Sequence, residues 1–268
     1  MAPYDFKALD ADVILRSSDE KEFPVHSVML SFSSPVFKGM FGLPQPTESS
    51  SQIPTIDVSE SSDILKPFIQ YLYPRSSPNI SDIAIWAAVY AAADKYQAEG
   101  VMDSLRDILP KFIEASPLRV YALASRWGFE EEAKTASTRT LTLDILKEFT
   151  PEDAEMMGGP ACHKLFLSHF NRREAVRAFI MKHPRPLPSN ITCACPTPLT
   201  LFVNFIPDLC QRVGAKPSTT LEEVYEVATD YGLWPAPCDV GCRYSHENKH
   251  EYYNSLARGI SALPSPTE

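Results

Sequence analysis

The C-terminal third of the chain holds the residues best suited to bind a metal ion. Cys193 lies close to Cys195, and Cys238 lies close to Cys242, with His246 following soon after. Thiolates and imidazoles are the usual ligands of structural zinc, and two such pairs can complete a tetrahedral site. The pattern predicts a structural zinc ion held by the four cysteines, with His246 as a substitute ligand. Ordinary buried or surface thiols are the alternative, because these spacings differ from the usual C-x2-C pairs.

A catalytic metal would need three protein ligands, an open position and a nearby general base. The sequence contains no G-x-S-x-G, no G-x-G-x-x-G, no phosphate-binding loop and no H-E-x-x-H motif. His163 and His169 fall on different faces of one predicted helix, and the acid pair Glu152-Asp153 lies in a helical first turn. We therefore predict no enzyme, with no catalytic or cofactor-binding residues, and keep a metal-dependent function as the less favoured hypothesis.

The composition is that of an ordinary globular protein, with 44% hydrophobic and 22% charged residues in 268. The formal net charge of −9 disfavours nonspecific binding to nucleic acids or anionic membranes, because both require a positive face. No signal peptide and no apolar run of transmembrane length is visible. We expect a soluble intracellular chain, cytoplasmic or nuclear, whose six cysteines are reduced or metal-bound.

Short strands and helices must position any binding residues in the N-terminal part of the chain. Short extended runs at 12–16 and Glu22–Val25 predict a hairpin, and alternating apolar residues at 53–58 predict a third strand. Apolar residues at helical spacing then predict a helix over 65–72, with Pro67 expected in its first turn.

Beyond residue 116 the sequence predicts only helices. A capping-box signature begins at Thr150, and Pro160 opens a longer helix. Proline punctuation then suggests a linker before the last helices. The predicted organisation is a first domain at 10–115, a helical region at 116–182, a proline-rich linker at 183–198, a second helical region at 199–258, and a disordered tail at 259–268.

Ordered segments of the N-terminal part carry a resemblance to a known family. They are Asp12-Val13-Ile14-Leu15, Phe23-Pro24-Val25-His26-Ser27-Val28-Met29-Leu30, Ser34-Pro35-Val36-Phe37-Lys38-Gly39-Met40-Phe41 and Ala92-Ala93-Asp94-Lys95-Tyr96. In order and spacing they resemble the signatures of the BTB/POZ family. The resemblance implies an α+β fold, a small sheet packed on a helical cluster, followed by an all-α C-terminal region. The segment at 117–134 resembles the truncated BACK-like helices that follow BTB domains in many fungal members. We expect His26 to be a core histidine that bonds a backbone group.

The resemblance also implies a function. Members of this family are interaction modules or scaffolds that bind other proteins, and self-association as a homodimer is expected, with a monomer as the alternative. Some members dock a cullin scaffold, so a substrate adaptor of a cullin-type ubiquitin ligase is the second reading. The loop at 42–52 departs from the adaptor pattern, since it is rich in proline and serine and shows no apolar-x-Glu motif. The partner-binding residues that the resemblance implies are Phe41, Leu43, Ile53, Lys66, Gln70 and Tyr73.

Overall fold

The computed structural model describes residues 5–6, 10–42, 53–74, 77–183, 198–218, 220–230 and 246–264. The chain divides into two compact units, unit 1 at Met1–Phe112 and unit 2 at Ile113–Glu268. The division falls close to the predicted end of the first domain at residue 115.

Unit 1 contains a three-stranded sheet in the order β2-β1-β3. The strands are β1 at Val13–Arg16, β2 at Glu22–Val25 and β3 at Thr55–Asp57. β1 and β2 form the predicted antiparallel hairpin, and β3 runs parallel to β1. Side chains alternate along β1, so Val13 and Leu15 are buried, while Ile14 and Arg16, each one residue further on, are only half-buried.

Helices make up most of the rest of unit 1 that the structure describes. They are α1 at Ser27–Ser33, α2 at Pro35–Gly42, α3 at Ser62–Leu72, α4 at Ile83–Lys95 and α5 at Glu99–Arg106, followed by a short 3-10 helix at Leu109–Phe112. With the sheet, they confirm the predicted α+β class.

Aromatic side chains fill much of the unit 1 core. Phe37 stacks on Tyr96 with ring centroids 4.6 Å apart, and Phe68 lies on the same tyrosine at 5.4 Å. Trp86 is fully buried, and its indole N–H donates a 2.8 Å hydrogen bond to the Leu105 carbonyl. Buried aromatic rings contribute more than area alone, because stacked and edge contacts are favourable in themselves.

The position of Pro67 differs from the prediction. α3 begins at Ser62, so Pro67 lies well inside the helix and not in its first turn. The helix starts early because the Asp19 carboxylate accepts hydrogen bonds from the Ser62 amide and hydroxyl, both at 2.7 Å. That contact links positions far apart in the sequence, and local patterns do not reveal it.

In unit 2, the described residues form helices joined by short turns, with no strand among them. Its helices are α6 at Pro117–Trp127, α7 at Glu130–Thr140, α8 at Ile145–Glu148, α9 at Pro151–Lys182, α10 at Pro198–Ala215, α11 at Leu221–Asp230 and α12 at His246–Ser261. No helix among the described residues is long and apolar enough to cross a membrane.

α9 begins and breaks where the sequence predicts. The Thr150 hydroxyl accepts from the Asp153 amide at 3.2 Å, and the Asp153 carboxylate accepts from the Thr150 amide, which completes the capping box. Gly158 interrupts the helix with φ 74° and ψ 167°, a conformation that L side chains rarely adopt. The second stretch of α9 therefore starts next to Pro160. His163 is exposed on it and His169 is buried, which confirms that the two lie on different faces.

The second half of α9 packs with α10, α11 and α12 around an apolar core. Arg172 of α9 is buried there, and its guanidinium donates to the Leu263 carbonyl at 2.7 Å and to the Ile260 carbonyl at 2.9 Å. These bonds tie the last turn of α12 and the residues that follow it to α9. The predicted disordered tail at 259–268 is therefore wrong at its start, because α12 continues to Ser261 and Arg172 binds the residues after it.

Candidate protein-interaction surface

The outer face of α1 exposes two apolar side chains of unit 1. Val28 is 69% exposed and Phe32 is 90% exposed. They are a helical turn apart and share a face, whereas Leu30 between them points into the core and is fully buried. α1 has no acidic residue in its first turn and no basic residue in its last. We call Val28 and Phe32 the α1 patch.

A carboxylate from the sheet holds the start of α1. The Asp12 carboxylate accepts from the Ser27 amide at 2.7 Å and from the Ser27 hydroxyl at 2.6 Å. Burial alone would raise the pKa of Asp12, but the hydrogen bonds from Ser27 outweigh it and hold that pKa below its usual value. Asp12 therefore replaces the missing side-chain cap at His26 and fixes the direction in which α1 leaves the sheet.

His26 and Tyr73 tie the same junction to the end of α3. The His26 amide donates to the Tyr73 hydroxyl at 3.0 Å, and the imidazole Nδ1 lies 2.9 Å from the same oxygen. His26 was predicted to be a core histidine; it has a structural role but is only half-buried, and its ring contacts the Tyr73 hydroxyl and, at 3.2 Å, the Asp10 carboxylate. Tyr73 itself is only 8% exposed. Tyr73 holds the start of α1 from inside the unit. Its burial argues against the direct partner contact predicted for it.

Ser34 anchors α2 beside α1. Its hydroxyl, fully buried, donates to the Tyr96 carbonyl at 2.5 Å and accepts from the Phe37 amide at 3.2 Å. The Tyr96 hydroxyl in turn donates to the Glu60 carboxylate at 2.7 Å. Burial and the neighbouring Glu60 charge raise the pKa of Tyr96, so the phenol stays protonated and keeps donating this bond.

Asp19 does for α3 what Asp12 does for α1. Hydrogen bonds from the Ser62 hydroxyl, from Ser17 and from the Ser62 amide lower the pKa of Asp19 far below its usual value. Both carboxylates lie beside the β1-β2 hairpin, and each binds the amide and hydroxyl of a serine in the first turn of a helix. The hairpin therefore fixes both helices, and the α1 patch sits on a rigid support.

The remaining predicted partner-binding residues are spread over unit 1. Lys66 is exposed and Gln70 half-buried, one turn apart on α3. Ile53 is 45% exposed just before β3, and Phe41 is half-buried against Phe37 at a centroid distance of 6.3 Å. Leu43 lies outside the described residues.

The sequence reasoning missed the α1 patch. Val28 was named only as part of the segment Phe23–Leu30 that carries the family resemblance, and Phe32 was not named at all. The signal was present in the spacing, because residues four apart share a helix face while Leu30 between them cannot. Which of the two faces is buried depends on the sheet and on α2, and so it appears only in the fold.

The predicted zinc ligands lie beyond what the structure describes. Cys193, Cys195, Cys238 and Cys242 are outside the described residues, and of His246 only the backbone is described. Within the described ranges no group of three or more His, Cys, Asp or Glu side chains could hold a metal ion. The zinc site therefore stays a prediction. Cys162 and Cys210 are half-buried free thiols, and burial raises the pKa of Cys210 above its usual value.

Comparison with known proteins identifies unit 1. The model of the BTB/POZ domain family matches residues 6–113, which is nearly all of the unit that carries the α1 patch. The chain therefore contains a BTB/POZ domain, a kind of domain that mediates protein-protein interactions, followed by a helical C-terminal region. No curated protein matches the chain.

Proposed function

We propose that this chain is a protein-interaction module that self-associates through the α1 patch of its BTB/POZ domain. The observation that carries the proposal is the 90% exposure of Phe32 on a helix fixed at its start by Asp12. A phenylalanine in water adds nothing to the stability of its own unit, but it is a strong anchor for an interface.

The apolar and uncharged character of the α1 patch favours a second copy as the partner. A two-fold contact places the same helix face on both sides, so Val28 and Phe32 of one chain would meet those of the other. No charge in α1 has to be paired across such a contact. Two chains, each with a net charge of −9, repel at long range, but an uncharged contact avoids adding like charges at the centre.

The proposal is tested with two differently tagged full-length copies expressed together. Recovery of both tags on one affinity resin, and a molar mass that rises with concentration toward twice the chain mass, supports self-association. A constant monomer mass together with single-tag recovery contradicts it. Changing Val28 to lysine should sharply reduce the shared recovery, because the substitution places like charges opposite each other across the two-fold axis.

A cullin adaptor is the second candidate. The observation in its favour is the 45% exposure of Ile53, an apolar side chain next to β3. Purification of the tagged chain from its native cells, followed by mass spectrometry, tests this role. Recovery of a cullin that is lost with Ile53→Asp supports the adaptor, whereas recovery that Ile53→Asp leaves unchanged, or no cullin at all, contradicts it.

A further inference from the structure

A second apolar face is exposed in unit 2, on the second half of α9. Leu167 is 45% exposed, Phe170 52% and Met181 57%. With Glu174 and Arg177 between them, these positions follow one another at alternating steps of three and four residues. That is the spacing of residues on a helix that packs side by side along the length of another helix. We call these five residues the α9 seam.

Another face of the same helix is already occupied. Val176 and Ile180 are buried in the core formed with α10, α11 and α12, and Arg172 binds the end of α12. The seam therefore differs from the face that α9 buries in its own unit, although Arg177, at one edge of the seam, lies close enough to Cys210 of α10 to offset part of the rise that burial causes in the pKa of that thiol. Its apolar residues are not covered by that core, and Phe170 is only contacted on one side by the Arg173 guanidinium, 5.4 Å from the ring centroid.

The charges of the seam are weakly satisfied within the chain. Arg177 forms no ion pair with any described residue, and the cation nearest to Glu174 is Arg173, whose Nε lies 3.7 Å away. That contact is long, and both side chains are close to half exposed, so it contributes little. Within the described ranges, the seam offers one cation without an ion pair and one weakly paired anion, a turn apart, between apolar residues.

We propose that the α9 seam binds the α9 seam of a second copy in antiparallel orientation, with the two-fold axis passing between Glu174 and Arg177. Glu174 of each chain then faces Arg177 of the other. The same operation places Phe170 opposite Met181, so charge and apolar residues match together. A parallel pair would instead set Glu174 against Glu174 and Arg177 against Arg177, which is repulsive.

The size of this contact sets its strength. From Leu167 to Met181 the seam is about 20 Å long, so one helix pair buries less than the roughly 1,200 Å² typical of a stable interface. It is a weak contact by itself. The inference does not depend on the α1 patch. If both surfaces act, each chain has two self-association sites, and assemblies larger than a dimer form by avidity.

Charge reversal in the full-length chain tests the pairing. The background is Phe32→Ser, which removes the α1 contact, and association is measured by sedimentation velocity. Glu174→Arg and Arg177→Glu should each raise the dimer Kd about tenfold or more, because each sets like charges opposite each other. An equimolar mixture of the two variants should regain the lost affinity, since their seams are complementary. Lys164→Glu, an exposed reversal on α9 outside the seam, is the matched control and should change little.

Cross-linking tests the orientation. Phe170→Cys in one copy and Met181→Cys in another should form an inter-chain disulfide when mixed, while neither variant should cross-link with itself at these positions. Self-linking of Phe170→Cys would overturn the antiparallel arrangement. Single reversals that leave the Kd unchanged, or a mixture that does not regain affinity, would overturn the seam itself. Neither result bears on the α1 patch, whose own test is the effect of Phe32→Ser in a chain with an intact seam.

Discussion

Replacing Phe32 by serine should separate the stability of the BTB/POZ domain from its self-association. Phe32 is 90% exposed in the single chain, so its loss should leave the free energy of unfolding within about 0.5 kcal/mol of the wild type. In a two-fold contact, however, both copies of the ring are withdrawn from water. Full burial of a phenylalanine is worth about 1.5–3 kcal/mol, so the dimer loses about 3–6 kcal/mol, or roughly 10²–10⁴ in Kd.

The assay pairs sedimentation equilibrium with thermal unfolding followed by circular dichroism. Leu146→Ser is the matched control, because Leu146 is 78% exposed on α8 in unit 2 and belongs to neither proposed surface. We expect both variants to melt like the wild type and only Phe32→Ser to lose association through unit 1. An unchanged Kd for Phe32→Ser would refute the assignment of the α1 patch. An equal loss in Leu146→Ser would show that any exposed apolar residue produces the effect.

The remaining predictions concern the two cores and the metal. Phe37→Ala should destabilise unit 1 by about 3–5 kcal/mol in urea unfolding, because a fully buried ring is replaced by a cavity. Gly259→Ala should destabilise unit 2 by about 1–3 kcal/mol, since its new Cβ would lie 2.0 Å from the Phe179 ring, and a Phe179→Ala background should reduce the effect. Burial lowers the pKa of His169 to about 4, below its unfolded value of about 6.5. Unit 2 therefore has its full stability above about pH 6.5 and loses stability below it, because the unfolded chain takes up a proton that the buried ring does not. About 3 kcal/mol should be lost as the pH falls from about 6.5 to about 4, and His169→Gln should remove this dependence in urea titrations. The predicted zinc site requires stoichiometric zinc by elemental analysis, lost when its cysteines become serine; zinc-free protein would exclude it.

Local signals accounted for most of the secondary structure. The hairpin follows from two short extended runs separated by a polar turn, and β2 has the predicted bounds. The start of α9 follows from the Thr150–Asp153 capping box, whose partners are near in sequence. In each case the interaction that fixes the element lies within the element or next to it.

Long-range contacts account for what the sequence did not reveal. The start of α3 depends on Asp19 meeting Ser62, and the order of the residues after α12 depends on Arg172. The exposure of Phe32 likewise depends on where α1 lies against the sheet. A pattern within one helix shows that two faces differ, but only the fold decides which one meets the core.

Salt dependence distinguishes the two proposed surfaces within one chain. The α1 patch contains no charged residue, so added salt should leave its contact unchanged or tighten it slightly by screening the net charge of −9 on each chain. The α9 seam depends on attraction between Glu174 and Arg177 across the two-fold axis, and the screening length falls from about 8 Å at physiological salt to about 3 Å at 1 M. In the Phe32→Ser background association should therefore weaken as salt is added, whereas in Glu174→Arg it should persist. Identical salt responses in these two variants would mean that one surface, and not two, carries the association.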